Sequence, residues 1–233
     1  LLQPFLSGGV QIACYALLLF CLLFWAVALA AYSRHTEGFL LLLALSLLEG
    51  ESRIRLTTPL QSKSYVELTR ASLSAFGGES QWMGQDTILV KPRRLKAADV
   101  TVEGDYTHAS LFLAAGAVYG PVTVTGLDPG SIQGDRAMLS ILDRMGARVD
   151  MGGGSVTVSP GRLRGIDVDV SDTPDLAPAI ALAALAAEGS TVVKNGGRLR
   201  FKECDRISAI ATELKRLGAD IDEAPDGFTI RGG

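Results

Sequence analysis

A plan of helix, strand, helix and paired strands recurs three times along this chain. Self-similarity at a fixed period constrains a fold more than any local propensity, because each copy must bury its apolar face against neighbours of the same shape. The first markers of the repeat are "LLEGESRIRL", "AVYGPVTVTG" and "LAAEGSTVVKN", whose glycines Gly50, Gly120 and Gly189 recur at steps of 70 and 69 residues. The second markers are "LSAFGGES", "LDRMGARVD" and "LKRLGADID", with Gly77, Gly146 and Gly218 at steps of 69 and 72. Glycine after each helix predicts a left-handed C-terminal cap, and the alternating Val, Thr and Ile that follow predict strands with one buried face. Each copy reads as α-β-α-β-β with a leading strand supplied by the segment before it. Gly152-Gly153-Gly154 reads as the hairpin turn between the two short strands of one copy, since no strand-loop-helix context makes it a phosphate loop. The fold class is therefore α/β or α+β, built from modules of about 70 residues.

Neither end of the array is clean. The last copy stops at Gly233 after its final strand and nothing like a complete copy precedes Arg34, so the chain reads as a cut from a longer array. "PRRLKAADVTVEGD", residues 92 to 105, interrupts the helix-rich pattern with Pro, Gly and charge and marks a domain junction. Residues 1 to 33 contain no Asp, Glu, Lys, Arg or His, and Val10 to Tyr32 has Gln11 as its only strongly polar residue. That run is long enough to span a bilayer, which takes roughly 20 apolar residues, and it lacks the positive n-region of a signal peptide. Four readings of it stay open: a membrane anchor, a buried hydrophobic helix, a fusion scar, and a wrongly translated or assembled start.

The remaining composition narrows the class of partner. With 48% hydrophobic and 20% charged residues the chain has a core and a polar surface, while a net charge of −3 without a long basic stripe argues against a nucleic-acid binder. Three cysteines (Cys14, Cys21, Cys204) are widely spaced and only His35 and His108 offer imidazoles, so neither a disulfide framework nor a metal site is expected. Local basic clusters then point to small anions. The densest is "RLRFKECDR", which sets Arg198, Arg200, Lys202 and Arg206 among Glu203 and Asp205. From Arg206 onward Ile207, Ile210, Ala211, Leu214 and Leu217 fall on one helical face, which puts Lys202 and Arg206 at a helix amino end. The dipole disfavours cations there and the free N–H groups favour an anion, so a bound phosphate or carboxylate accounts for the placement. The competing reading is a solvated turn in which the two cations pair with Glu203 and Asp205. Lys63 repeats the same placement in "PLQSKSYVEL". Asp172 before Thr173 and Pro174 reads as an N-cap, and Asp175 sits in the first turn, where the dipole alone welcomes a carboxylate. His108 reads as a surface or capped residue, and Cys204 as a thiol whose pKa a helix start lowers without making it a nucleophile.

Four segments, in order, resemble one known family. "TTPLQSKSYVELT" is similar to its Ser-Lys-x-Tyr segment and "SIQGDR" to its Gln-Gly-Asp turn. "SDTPDLAPAIALAALAAEG" is similar to its Asp-bearing helix, and "LRFKECDRISAIATELKRLGADI" to its Lys-Glu-Ser/Thr-Asp-Arg signature. From about Glu37 to Gly233 the chain resembles the EPSP synthases, the 3-phosphoshikimate 1-carboxyvinyltransferases. The resemblance implies an inside-out α/β barrel of six βαβαββ units in two three-unit domains, present here incompletely. Residues 34–102 would end the first enolpyruvyl transferase domain and 103–233 form most of the second, behind a hydrophobic segment 1–33.

The implied reaction transfers the enolpyruvyl group of phosphoenolpyruvate to the 5-hydroxyl of shikimate 3-phosphate through a tetrahedral adduct, releasing phosphate with no metal or redox cofactor. Carried over residue by residue, Asp175 is the base near the 5-hydroxyl and Glu203 exchanges a proton with the methylene carbon. Lys202 and Arg206 bind phosphoenolpyruvate, and Lys202 also takes part in catalysis by stabilising charge. Ser62 contacts the shikimate phosphate, with Gln61 and Arg198 beside it. The partners implied are these two small molecules and no nucleic acid, for a cytoplasmic monomer that touches a membrane only if the run from Val10 to Tyr32 is an anchor. "RHT" at Arg34 to Thr36 stands where the family has Ser-Ser-Gln, Cys204 replaces its Ser or Thr, and its N-terminal Lys and Arg segment and last unit have no match in this sequence. The expectation is a chain inactive or nearly so by itself. The alternatives are a UDP-N-acetylglucosamine enolpyruvyl transferase, disfavoured by the Lys-Glu-x-Asp-Arg signature, and a noncatalytic anion-binding remnant.

Overall fold

A computed structural model describes residues 37–58, 60 and 62–233. The apolar run Val10 to Tyr32, the "RHT" segment and Gln61 lie outside the described residues. Among the described residues no helix is long and apolar enough to cross a membrane. The chain divides into two compact units, one reaching to Leu60 and resuming at Val66–Asp99, the other made of Gln61–Tyr65 and Val100–Gly233.

The first unit holds α1 (Glu37–Leu45), β1 (Ser52–Arg55), most of α2 (Lys63–Ala75), β2 (Glu79–Met83) and β3 (Thr87–Lys91). Its sheet runs β1-β3-β2 with both pairings antiparallel. Val66 and Leu73, two helical turns apart on α2, pack with Leu42, Ile54, Ile88 and Val90 into a small core.

The second unit contains two further copies of the repeat. The earlier one comprises α3 (Tyr106–Val118), β4 (Val122–Thr125), a 3-10 turn (Gly134–Arg136) entering α4 (Ala137–Met145), β5 (Arg148–Gly152) and β6 (Ser155–Ser159). The later one comprises β7 (Asp167–Asp169), a 3-10 turn (Pro174–Leu176) entering α5 (Ala177–Leu185), β8 (Gly189–Lys194), a 3-10 turn (Gly197–Phe201), α6 (Arg206–Arg216), β9 (Asp220–Ala224) and β10 (Gly227–Gly232). The sheets are ordered β4-β6-β5 and β7-β8-β10-β9. β7 pairs with β8 in parallel across α5, so among the described residues the full βαβαββ module is completed in the last copy. In the copy before it the leading segment keeps one bond of this kind, from the Gly104 N–H to the Gly126 carbonyl at 2.8 Å.

Two kinds of helix divide the work. α3 and α5 are apolar on nearly every side and form the interior, with Tyr106, Leu113, Ala114 and Ala117 of the first and Ile180, Ala181, Ala183 and Ala184 of the second all buried. Small side chains allow close approach: a Cβ on Gly116 would stand 2.8 Å from the Val158 carbonyl oxygen. α4 and α6 are amphipathic and bury one face each. On α6, Ile207 and Ala211 are buried and Ile210 and Leu214 partly so, but Leu217 is 83% exposed. It falls outside the expected face because the helix ends at Arg216, and Leu217 is its C-cap.

The second markers behave as left-handed helix terminators: φ is 82° at Gly77, 106° at Gly146 and 90° at Gly218. The first markers do not. α3 and α5 leave through Tyr119 and Ala186 at φ −105° and −98°, Gly50 and Gly120 have no positive φ, and Gly189, at 88°, opens β8. The hairpin between β5 and β6 turns on Gly153 and Gly154, whose φ values of 58° and 73° meet the demand of a two-residue type I′ turn.

Candidate functional site

The charged residues singled out in the sequence sort into two groups within the second unit. Arg200 belongs to the scaffold: it donates to the carbonyls of Pro225 and Ala224, both at 2.6 Å, and to the carboxylates of Glu223 and Asp205 at 2.8 and 2.7 Å. Asp205 in turn caps α6, accepting from the Ser208 N–H at 3.0 Å. These two residues fix the turn that precedes α6, and neither is free to meet an anion.

Asp175 is the centre of the other group. It lies in the 3-10 turn ahead of α5, with its side chain 17% exposed. Its Oδ1 accepts from Arg206 Nη1 at 2.7 Å and faces Lys202 Nζ at 3.2 Å, while Oδ2 accepts from the Tyr65 hydroxyl at 3.2 Å. Arg206 is the first residue of α6, and Lys202 sits in the turn four positions earlier. The remaining edge of Arg206 holds Glu203, with Nε and Nη2 donating to its two oxygens at 2.7 and 3.0 Å. That bond keeps the Glu203 carboxyl below the usual glutamate range.

A second cluster adjoins the first. Ser62 adopts φ 52°, a left-handed conformation that costs a non-glycine residue of order 1 kcal/mol or more. Two contacts hold it there: its N–H donates to Asp172 Oδ1 at 3.0 Å, and its Oγ accepts from Arg198 Nη2 at 2.8 Å. Arg198 also donates to the Ser171 carbonyl at 2.6 Å, and burial lowers its pKa. Asp172 is therefore not the N-cap its sequence context suggested. The cap position of the turn is Thr173, which makes no side-chain cap bond, and the Asp172 carboxylate reaches the Ser62 amide instead.

Three neighbours of this group carried no role in the sequence reading. Tyr65 stands on the first turn of α2, and burial, then Asp135 and Asp175, raises its pKa. Asp135 is 5% exposed, bonded to the Thr107 hydroxyl, and burial pushes its carboxyl above the usual aspartate range. Gly134 beside it packs so closely that a Cβ would lie 2.5 Å from Ser64 Oγ. Tyr65 and Asp135 lie within the Ser-Lys-x-Tyr and Gln-Gly-Asp segments, and Thr107 repeats the polar helix start of "GDYTHAS". Asp105 caps α3 through the Thr107 N–H at 2.7 Å and pairs with the exposed His108. Cys204 is exposed and free, and among the described residues no group of three or more His, Cys, Asp or Glu is placed to hold a metal ion.

The structure thus brings Ser62, Asp175, Arg198, Lys202, Glu203 and Arg206 together, a carboxylate-studded cationic surface on helix and turn starts of a repeated module. The repeated module that carries them is of the enolpyruvyl transferase type of α/β fold. The fold is shared with the enolpyruvyl transferase NikO from Streptomyces tendae, at a TM-score of 0.62 and 22% identity over 87% of this chain and 50% of that one. The chain belongs to the EPSP synthase (3-phosphoshikimate 1-carboxyvinyltransferase) family, whose model matches residues 31–233. It is 46% identical over 195 residues to the 3-phosphoshikimate 1-carboxyvinyltransferase of Methanothrix thermoacetophila, covering 83% of this chain and 46% of the relative. It is 42% identical over 193 residues to that of Actinobacillus pleuropneumoniae serotype 5b, covering 82% and 45%. The EPSP synthase structure from Acinetobacter baumannii matches with a TM-score of 0.67 and 28% identity over 83% of this chain and 45% of that one. The chain spans about half the length of the curated relatives it matches.

Proposed function

We propose that this chain supplies part of a site that transfers the enolpyruvyl group of phosphoenolpyruvate to the 5-hydroxyl of shikimate 3-phosphate, with release of phosphate. The observation that carries the reading is the Asp175 carboxylate, held between Lys202 and Arg206 on one oxygen and Tyr65 on the other. In this role Asp175 takes the proton of the 5-hydroxyl as its oxygen bonds to the substituted vinyl carbon, while the carboxyl of Glu203 gives a proton to the methylene. In the second half Glu203 takes a methyl proton back, the double bond re-forms and the carbon–oxygen bond to phosphate breaks. Lys202 and Arg206 hold the anionic donor and the charge that develops on it, and Ser62, Gln61 and Arg198 hold the acceptor's phosphate. On the same reading residues 34–102 end one enolpyruvyl transferase domain, residues 103–233 make most of another, and the protein works in the cytoplasm.

Titration calorimetry of the 233-residue chain with phosphoenolpyruvate and with shikimate 3-phosphate, followed by an assay for released phosphate, tests this. The expected result is donor binding that disappears in Lys202→Ala and Arg206→Ala, and acceptor binding that weakens in Arg198→Ala. Absence of heat from both ligands would overturn the reading in favour of a noncatalytic remnant.

A further inference from the structure

Each of the three guanidinium nitrogens of Arg206 donates to a carboxylate of the chain itself, and the two carboxylates are not equally held. Asp175 is largely buried and also touches Lys202 and Tyr65. Glu203 is 64% exposed, and the hydrogen bonds of its side chain go to the Nε and Nη2 edge of Arg206. Two parallel N–H···O bonds to one carboxylate are the geometry in which arginine binds any carboxylate, including one on a small molecule.

We propose that the Nε and Nη2 edge of Arg206 is an exchange site, where Glu203 holds the place of the donor's carboxylate and is released when that carboxylate binds. The proposal rests on the function given above and deepens it. Exchange is cheap for the protein: an exposed ion pair contributes little, the arginine recovers both bonds from the incoming group, and the glutamate side chain regains rotational freedom. Asp175 stays, because Lys202 and Tyr65 keep it when one arginine edge changes partner.

The exchange changes the chemistry of the released group. The charged groups that face Glu203 are Arg206 from α6 and Lys202 from the turn before it, and the bond to Arg206 is the largest influence holding its carboxyl low. Once that bond passes to the donor, Glu203 keeps its own backbone N–H and the Lys202 charge but loses its largest stabilising partner and gains an anionic neighbour, so its affinity for a proton rises. Donor binding therefore loads the proton that the addition step consumes. The paired state of the free protein keeps Glu203 ionised and idle until a carboxylate arrives.

The test is a carboxyl-carbon NMR titration of the full chain labelled at glutamate Cδ, with the Glu203 signal assigned by its loss in Glu203→Gln. In the free protein Glu203 should titrate below the ordinary glutamate range, and saturating phosphoenolpyruvate should move that titration to higher pH. Calorimetry should show Glu203→Gln binding phosphoenolpyruvate about two- to fivefold more tightly than the wild type, because the internal competitor is gone. A Glu203 titration unmoved at saturation, together with equal affinities, would overturn the exchange while leaving donor binding intact. If phosphoenolpyruvate shifts neither protein and gives heat with neither, the function on which the exchange rests fails with it.

Discussion

At the scale of single residues, Asp135 is a carboxyl whose environment opposes ionisation. It is 5% exposed, near Asp175 and Asp105, and bonded to the Thr107 hydroxyl, with burial the largest cause of its raised pKa. A raised pKa means the folded state binds this proton more tightly than the unfolded chain does. The stability so contributed is complete below the ordinary aspartate range and is lost as pH rises through the folded value. Asp135→Asn keeps the shape and an acceptor for Thr107 but removes the charge. Urea midpoints measured from pH 4 to pH 8 should therefore show the variant gaining on the wild type as pH rises, and parallel curves would sink the assignment. Arg200 makes the opposite case. Its donors end on two backbone carbonyls and two carboxylates, so Arg200→Gln should lower the thermal midpoint, read by circular dichroism, by leaving the Ala224 and Pro225 carbonyls without that partner.

At the scale of elements, the same repeat position carries different costs in different copies. Gly146 and Gly218 both end amphipathic helices in the left-handed region, at φ 106° and 90°. A Cβ on Gly218 meets open space, whereas one on Gly146 would strike the Arg162 carbonyl oxygen. Gly218→Ala should cost about 1 kcal/mol of conformational strain and Gly146→Ala upwards of about 2 kcal/mol, compared by urea denaturation. Equal losses would show that backbone strain alone decides both. The contrast also explains what the sequence let one read. Glycines after amphipathic helices mark true turns because the exposed face there forces the chain back onto the sheet. Gly50 and Gly120, after apolar helices, have neither a positive φ nor a neighbour that a Cβ would meet, and the spacing of residues carries no sign of φ. The cations before α6 were legible as a cluster, but their division was not: Arg200 and Arg198 are two positions apart, yet Arg200 ties the turn to β9 and the hairpin after it, while Arg198 holds Ser62 and the Ser171 carbonyl. Likewise Asp172 looks like a cap until the Ser62 amide, 110 residues away in sequence, is brought to it. Tyr65 and Asp135 escaped a role because burial, which raises both their pKa values, belongs to the tertiary fold.

At the scale of the whole molecule, the described residues of the two units differ in how much they bury. Among the described residues the first unit's core is Leu42, Ile54, Val66, Leu73, Ile88 and Val90, while the second unites residues of four helices and two sheets from Tyr106 to Ile230. Apolar burial contributes roughly 25 cal/mol per Å², so a core several times larger should outlast a smaller one as denaturant rises. The segment from Pro92 to Asp105 carries no helix or strand and is mostly exposed, which leaves α2, whose first turn belongs to the second unit and whose remainder belongs to the first, as the element that ties the two cores. Unfolding should then occur in two steps. Trp82, on β2, offers a direct probe of the first unit in a Trp25→Phe variant, where it is the one tryptophan left, whereas α3 to α6 follow residue 100. In a urea series, tryptophan fluorescence should change at lower denaturant than the helical circular dichroism signal. Amides of Ile88 and Val90 should lose hydrogen-exchange protection before those of Val193 and Ile230. Coincident transitions by all of these probes would mean that the two units unfold as one cooperative body, and that the larger core stabilises the smaller.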